Sequence, residues 1–94
     1  MYILRIEHPV PDFDVWKRAF DGDPAARKQS GVRRHRVLRP VDDPDYAMVD
    51  LEFDTLGEAE AMLVALRRLW GVVGGRIMAD PSARIVEVVE AVEL

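Results

Sequence analysis

A clean two-residue alternation runs through Tyr46-Ala-Met-Val-Asp-Leu-Glu-Phe53, and no other stretch of the chain constrains its fold as tightly. Ala47, Val49, Leu51 and Phe53 fall on one side of an extended backbone; Met48, Asp50 and Glu52 fall on the other. Strand side chains alternate between faces, so this segment offers one face to an apolar core and studs the other with carboxylates. Upstream, Val32 to Arg39 reads as a second strand, folded back through a turn over Pro40 to Asp45. Aspartates there support Asx-type hydrogen bonds and Pro44 pre-sets φ. The sheet therefore has a second face that must meet water, a partner subunit or a ligand.

The flanking segments complete the pattern. Residues 2 to 8 are strand-like, with Leu4 and Ile6 on one side, Arg5 and Glu7 on the other, and Pro9 and Pro11 ending the run. Asp12 is a suitable helix N-cap, and Asp14 lies in the first turn, where the helix dipole favours negative charge. Phe13, Trp16 and Phe20 share one face of that helix. Gly22 and Pro24 interrupt it, Ala25 to Ser30 can add a short turn or two, and Gly31 is a plausible stop. Thr55 with Glu58 forms a capping box for a second helix. Its apolar stripe runs through Leu56, Ala59, Leu63, Leu66, Trp70 and Val73, widened by Met62 and Leu69. Gly74-Gly75 ends that pattern, Arg76 to Ala79 is an irregular or helical tail closed by Asp80-Pro81, and residues 83 to 93 are expected to form the last strand. The order β-α-β-β-α-β predicts a ferredoxin-like α+β fold in a single domain over 1–94: a four-stranded antiparallel sheet with both helices on one face.

Composition narrows the function classes. The 94 residues include no cysteine, which removes disulfides and thiolate metal sites. No apolar run approaches the roughly 20 residues that span a bilayer, and the charged start, Met1 to His8, does not read as a signal peptide, so a cytoplasmic protein is expected. A net charge of −4 argues against bulk binding to nucleic acid or anionic membranes. RNA recognition on this topology needs stacking aromatics on the central strands, where this chain sets Arg5, Glu7, Asp50 and Glu52. Basic residues do gather at Arg27, Lys28, Arg33, Arg34, Arg36 and Arg39. Pairing with carboxylates of the neighbouring strand is their simplest use.

Several motifs resemble the dimeric α/β-barrel superfamily, the group of small antibiotic-biosynthesis-type monooxygenases and polyketide-cyclase-like proteins. They are Asp12-Phe-Asp-Val-Trp16, Ala26-Arg27 ahead of Gly31-Val32, His35-Arg-Val37, Arg39, Asp42-Asp-Pro44, and Leu51-Glu-Phe-Asp54 leading into Glu58-Ala59. The resemblance implies a homodimer whose sheets pack face to face, with a pocket between each sheet and its helices or in the barrel mouth. It implies chemistry without metal or flavin on a flat, apolar or aromatic small molecule, so no cofactor is expected. The Asn-Trp-His set of haem-degrading members does not map here, because the chain has no asparagine.

His35 is the leading catalytic candidate, since histidine is the side chain most easily poised for proton transfer near neutral pH. If Arg39 pairs with Tyr46, His35 faces Asp50 and Arg33 faces Glu52, giving a His-Asp pair suited to general-base work. A one-residue slip instead sets Arg36 opposite Asp50 and turns His35 toward the helices. Trp16, Tyr46 and Arg33 are candidate ligand-binding residues, with core packing the competing role for Trp16 and Tyr46. His8 either lines the barrel mouth or is a solvent-exposed strand end. Asp50 and Glu52 project side by side, but no accompanying histidine spacing suggests a metal, and salt links to arginine account for them more simply. Two readings stay open: a cofactor-free oxygenase or cyclase/isomerase, and a non-catalytic ligand-binding or accessory protein on the same scaffold.

Overall fold

The computed structural model describes residues 1–23, 25–73 and 81–94, with only the backbone of Val73. The expected helix-breaking Pro24, the Gly74-Gly75 stop, the Arg76 to Ala79 tail and Asp80 lie outside the described residues. The elements are β1 (Tyr2–Pro9), α1 (Phe13–Asp21), β2 (Arg34–Leu38), β3 (Tyr46–Phe53), α2 (Leu56–Val73) and β4 (Ser82–Glu87). The strands form one antiparallel sheet in the order β2-β3-β1-β4, the ferredoxin-like α+β arrangement.

Alternation sets the two faces as expected. Leu4, Ile6, Ala47, Val49, Leu51 and Phe53 point to the helix side and are buried there. Arg5, Glu7, Met48, Asp50 and Glu52 lie on the opposite face, in register across β1 and β3. Asp12 caps α1 by accepting from the backbone N–H groups of Asp14 and Val15 at 3.0 and 3.2 Å. The Thr55 hydroxyl accepts from the Glu58 N–H at 3.2 Å and donates to the Glu58 carboxylate at 2.9 Å. On α2 the fully buried line is Ala59, Met62 and Leu66, with Leu63, Leu69 and Trp70 packed beside it. Met62 therefore sits at the centre of the stripe, while Leu56 is largely exposed.

The structure corrects two expectations and decides between the two hairpin registers. Residues 25–31 form successive turns and no helix, tied by Ser30 N–H to Ala26 O at 3.0 Å and Val32 N–H to Arg27 O at 3.0 Å. The last strand ends at Glu87 instead of reaching residue 93: its partner β1 starts at Tyr2, opposite Glu87, and pairing beyond it is limited to Val88 N–H on Met1 O at 3.0 Å. The hairpin takes the slipped register, with His35 opposite Leu51 and Arg36 opposite Asp50. The Arg33 N–H donates to Glu52 O at 2.8 Å, yet Arg34 is the residue paired with Glu52. Two successive residues thus oppose one, as in a β-bulge, and the alternation of β2 flips by one position.

Gly31 adopts φ +98°, and a Cβ there would run into the Glu58 carboxylate. Gly31→Ala should cost roughly 1–3 kcal/mol of stability, through backbone strain and displacement of the α2 cap. Urea unfolding measures this, and an unchanged midpoint would contradict the account.

Candidate functional site

The geometry of the site follows from how α1 is held. α2 lies against β1, β3 and β4, whereas large rings join the nine-residue α1 to the sheet. His8 on β1 meets Trp16 edge-on with ring centres 5.6 Å apart. Trp16 stacks on Phe20 at 5.3 Å, and Phe20 meets His35 on β2 edge-on at 5.3 Å. Two arginines bracket the helix: the Arg27 guanidinium lies 3.8 Å from the Phe20 ring centre and that of Arg39 lies 4.6 Å from Phe13. Such contacts favour defined ring geometries and hold a helix at ring thickness from the strands beneath it.

A cavity of about 350 Å³ results. Its floor is Ile6, Val49 and Leu51 on the sheet, and α2 contributes Met62, Leu66, Leu69 and Trp70. Trp16, Ala19, Phe20 and Ala25 complete the walls, so the lining is overwhelmingly apolar and partly aromatic. Among the described residues, the tryptophans apart, the polar side chains that line it are His8 and Arg27. Apolar walls with a few placed polar groups, at 300–1,000 Å³, typify small-molecule sites.

His8 is 2% exposed. Burial pushes its pKa below the ordinary histidine value, partly offset by the hydrogen bond to the Pro9 carbonyl. Its Nδ1 lies 3.2 Å from Pro9 O. A carbonyl can only accept, so the proton of the neutral ring resides on Nδ1 and Nε2 keeps its lone pair. The ring is neutral at pH 7, fixed in one tautomer, and basic at the second nitrogen. Arg27 is anchored by its Nη1 donating to Phe20 O at 2.9 Å and its Nε at 3.3 Å from Asp23 Oδ1.

The sequence-derived candidates divide. Trp16 lines the cavity and is also core, so its two competing roles coincide. His35 and Asp50 do not form a dyad: the bulge at Arg33 sends them to opposite faces of the sheet. Asp50, only 7% exposed, is held by Arg5 at 3.1 and 3.4 Å and by Arg36 at 3.3 Å, and Glu52 is held by Arg34 at 2.8 Å. Arginine thus engages both carboxylates, as the salt-link reading required, though Arg33 pairs with Asp54 at 2.8 Å instead. Tyr46 lies on the outer face and donates to Glu7 at 2.8 Å, which raises its pKa and keeps the phenol protonated away from the cavity. Arg33 and His35 line a second, more polar concavity beside the first.

The reading of His8 as a solvent-exposed strand end is overturned. The signal was available in parity, since residues 4, 6 and 8 of one strand share a face. Pro9 masked it. β1 in fact runs through Pro9, opposite Tyr46, and Val10 N–H continues the pairing to Asp45 O at 2.8 Å. Arg27 left no periodic signal because it sits in irregular turns.

No family model matches the chain, and no curated protein matches it. Solved structures do share the fold. An MhuD variant with two manganese protoporphyrin IX molecules bound per active site matches at TM-score 0.70 and 19% identity, over 99% of both chains. SnoaB of Streptomyces nogalater, a cofactor-independent oxygenase, matches at TM-score 0.75 and 13% identity, over 96% of this chain and 94% of that one. A dimeric ferredoxin-like protein of an uncultured marine organism matches at TM-score 0.69 and 13% identity, over 97% of each. Antibiotic biosynthesis monooxygenases recur among the matches. At such identities the likeness is one of fold.

The depressed pKa of His8 has a consequence for stability. The unfolded chain binds the imidazole proton below about pH 6.5, whereas the buried ring resists it. His8 therefore leaves stability unchanged well above that value and lowers it as pH falls through it, until the folded form protonates too. His8→Phe should flatten the loss of stability between about pH 7.5 and pH 5.5, read from urea midpoints across that range. Parallel curves for the two proteins would refute the burial argument.

Proposed function

We propose that this protein is a homodimeric, cofactor-free enzyme that takes a proton from a flat, apolar small molecule held between its sheet and its helices. The reading rests on one observation: among the described residues, a buried histidine, fixed as the Nδ1–H tautomer, is one of two titratable or charged side chains that line an otherwise apolar cavity. Removing a proton from a phenol or an activated ring carbon leaves a delocalised anion. That step is common to cofactor-free oxygenation and to cyclisation or isomerisation, so one base serves either class. The description of SnoaB as a cofactor-independent oxygenase supports the first of these. A base acts best when it is unprotonated at working pH, which burial of His8 provides. His8 replaces the earlier candidate His35 as the proton acceptor, and Trp16 with Trp70 supplies flat walls for a planar ring system.

One observation favours the non-catalytic alternative. Within hydrogen-bonding distance of the His8 ring nitrogens, the described partner is a backbone carbonyl and not a carboxylate. Such a base is weaker than one of a His-Asp pair, which suits ligand holding or a substrate that is already acidic.

The dimer reading comes from the outer sheet face and the neighbours described as dimeric ferredoxin-like proteins. Ile3 on that face is 8% exposed, and Met48 and Val86 lie beside the Arg5–Asp50–Arg36 cluster. A neutralised, part-apolar surface of this kind suits a symmetric copy. Sedimentation at micromolar concentration should give twice the chain mass of 10.7 kDa, and a single-chain mass would remove the dimer while leaving the cavity.

Hydroxylated naphthalenes and anthracenes, screened by oxygen uptake and absorbance, test the activity. For a turned-over ligand, His8→Gln should lower kcat by about 10²–10⁴-fold with binding retained, and the acid limb of the rate profile should fall below the ordinary histidine value. Undiminished turnover in the variant would exclude His8 as the base.

A further inference from the structure

We infer that the ligand carries an anionic group, a carboxylate in the simplest case, which leaves the apolar cavity past Arg27 and is held in the adjoining basic groove. The inference rests on the ligand-cavity reading above and specifies the chemical class of its occupant.

The cavity does not end in bulk solvent on every side. Arg27 is common to its lining and to that of the second concavity, which also includes Asp23, Lys28, Arg33, Arg34 and His35. The side chain of Arg27 is 15% exposed, and its flat guanidinium covers the Phe20 ring. Phe20 in turn touches His35 edge-on. One guanidinium and one ring thus separate an apolar chamber from a groove to which Arg27, Lys28 and Arg33 bring positive charge and Asp23 a carboxylate.

The neighbouring carboxylates do not cancel this groove. Asp23 engages Arg27 through Nε, and the shortest contacts of Arg33 and Arg34 with Asp54 and Glu52 also run through Nε. A guanidinium offers five N–H donors in a planar fork, so the terminal nitrogens keep donors for a second acceptor. The side chain of Arg33 is mostly exposed, which leaves its end accessible. Lys28, in the groove lining, is exposed. Arg27 is the best-placed group, because it is partly desolvated and pre-positioned by two fixed contacts. A charge-assisted hydrogen bond from such a donor is stronger and more directional than one from a mobile surface cation.

A neutral planar molecule would use the chamber alone. An amphipathic one, with a fused-ring body and a single acid group, uses both compartments and is oriented by them, so that the same ring edge is presented to His8 each time. Orientation of this kind is what a site with one base and apolar walls otherwise lacks.

The test compares 2-naphthoate with 2-naphthamide, which share the ring system and differ in charge, by quenching of tryptophan fluorescence. The wild-type protein should bind the carboxylate about tenfold tighter at low ionic strength, and the preference should shrink as salt is raised. Lys28→Glu, a change at an exposed side chain, should cut the preference severalfold, and Arg27→Gln should abolish it while naphthamide binding persists. If Arg27→Gln does not fold, the salt series and Lys28→Glu still decide. Equal affinity for both ligands would overturn the anionic handle and leave the cavity standing, as would a preference insensitive to both salt and Lys28→Glu. Failure of both ligands to bind would overturn the cavity reading, and this one with it.

Discussion

The structure depends on how a short helix is attached to one face of a sheet. The alternating strands β1 and β3 present a continuous apolar surface that must be covered. α2, with 18 residues, covers part of it directly. α1 has nine residues, and Trp16 is its one buried side chain. It reaches the sheet through the ring series His8, Trp16, Phe20 and His35. Rings of this size fill depth at a few points and leave space between them, so one arrangement both anchors the helix and makes the chamber. Replacing them with smaller aliphatic residues would let the helix settle onto the strands and close the space.

The outer face solves a different problem. Asp50 is nearly buried, and a lone carboxylate there would be costly to desolvate. Arg5 and Arg36, from the strands on either side of β3, neutralise it, and Arg34 serves Glu52. The like-charged neighbours Arg5 and Arg84 face each other across β1 and β4, which is tolerable because Asp50 draws Arg5 the other way. The bulge at Arg33 is what brings Arg34 and Arg36 onto this face. Without it, Arg33 and His35 would stand there, and the cavity side would receive Arg36.

Much of the architecture was legible because it follows from side-chain period and capping chemistry. The faces of β1 and β3, the Asp12 cap, the Thr55-Glu58 box and the shared face of Phe13, Trp16 and Phe20 all appear as read from the sequence. The site was less legible for two physical reasons. A bulge adds one residue to a strand with no compositional mark, and that single residue decided which way His35 faces. A proline at a strand end suggests termination, yet Pro9 needs no N–H at an outer position and lets the strand run on, which is why His8 was undervalued. The C-terminal strand is shorter than its composition suggests for a third reason: Val and Ile propensity continues to residue 93, but pairing requires a neighbour, and β1 begins at Tyr2, opposite Glu87.

Arg27 shows how an irregular segment can position a charge as firmly as a helix does. Asp23 and Ala26 adopt φ of 53° and 49°, in the left-handed region that residues with a Cβ seldom occupy. Each conformation costs on the order of 1 kcal/mol, and the loop must recover this elsewhere. The Asp23 carboxylate accepts from the Arg27 N–H at 3.0 Å and also meets its guanidinium, while Arg27 donates to the Phe20 carbonyl at the end of α1, which also accepts from the Asp23 N–H. These bonds tie the strained backbone, the last turn of the helix and the cavity wall to a single side chain. Motion of α1 away from the sheet would therefore break the His8–Trp16 and Phe20–His35 ring contacts and carry the Arg27 guanidinium along with the helix. The wall between chamber and groove is thus coupled to the seating of the helix.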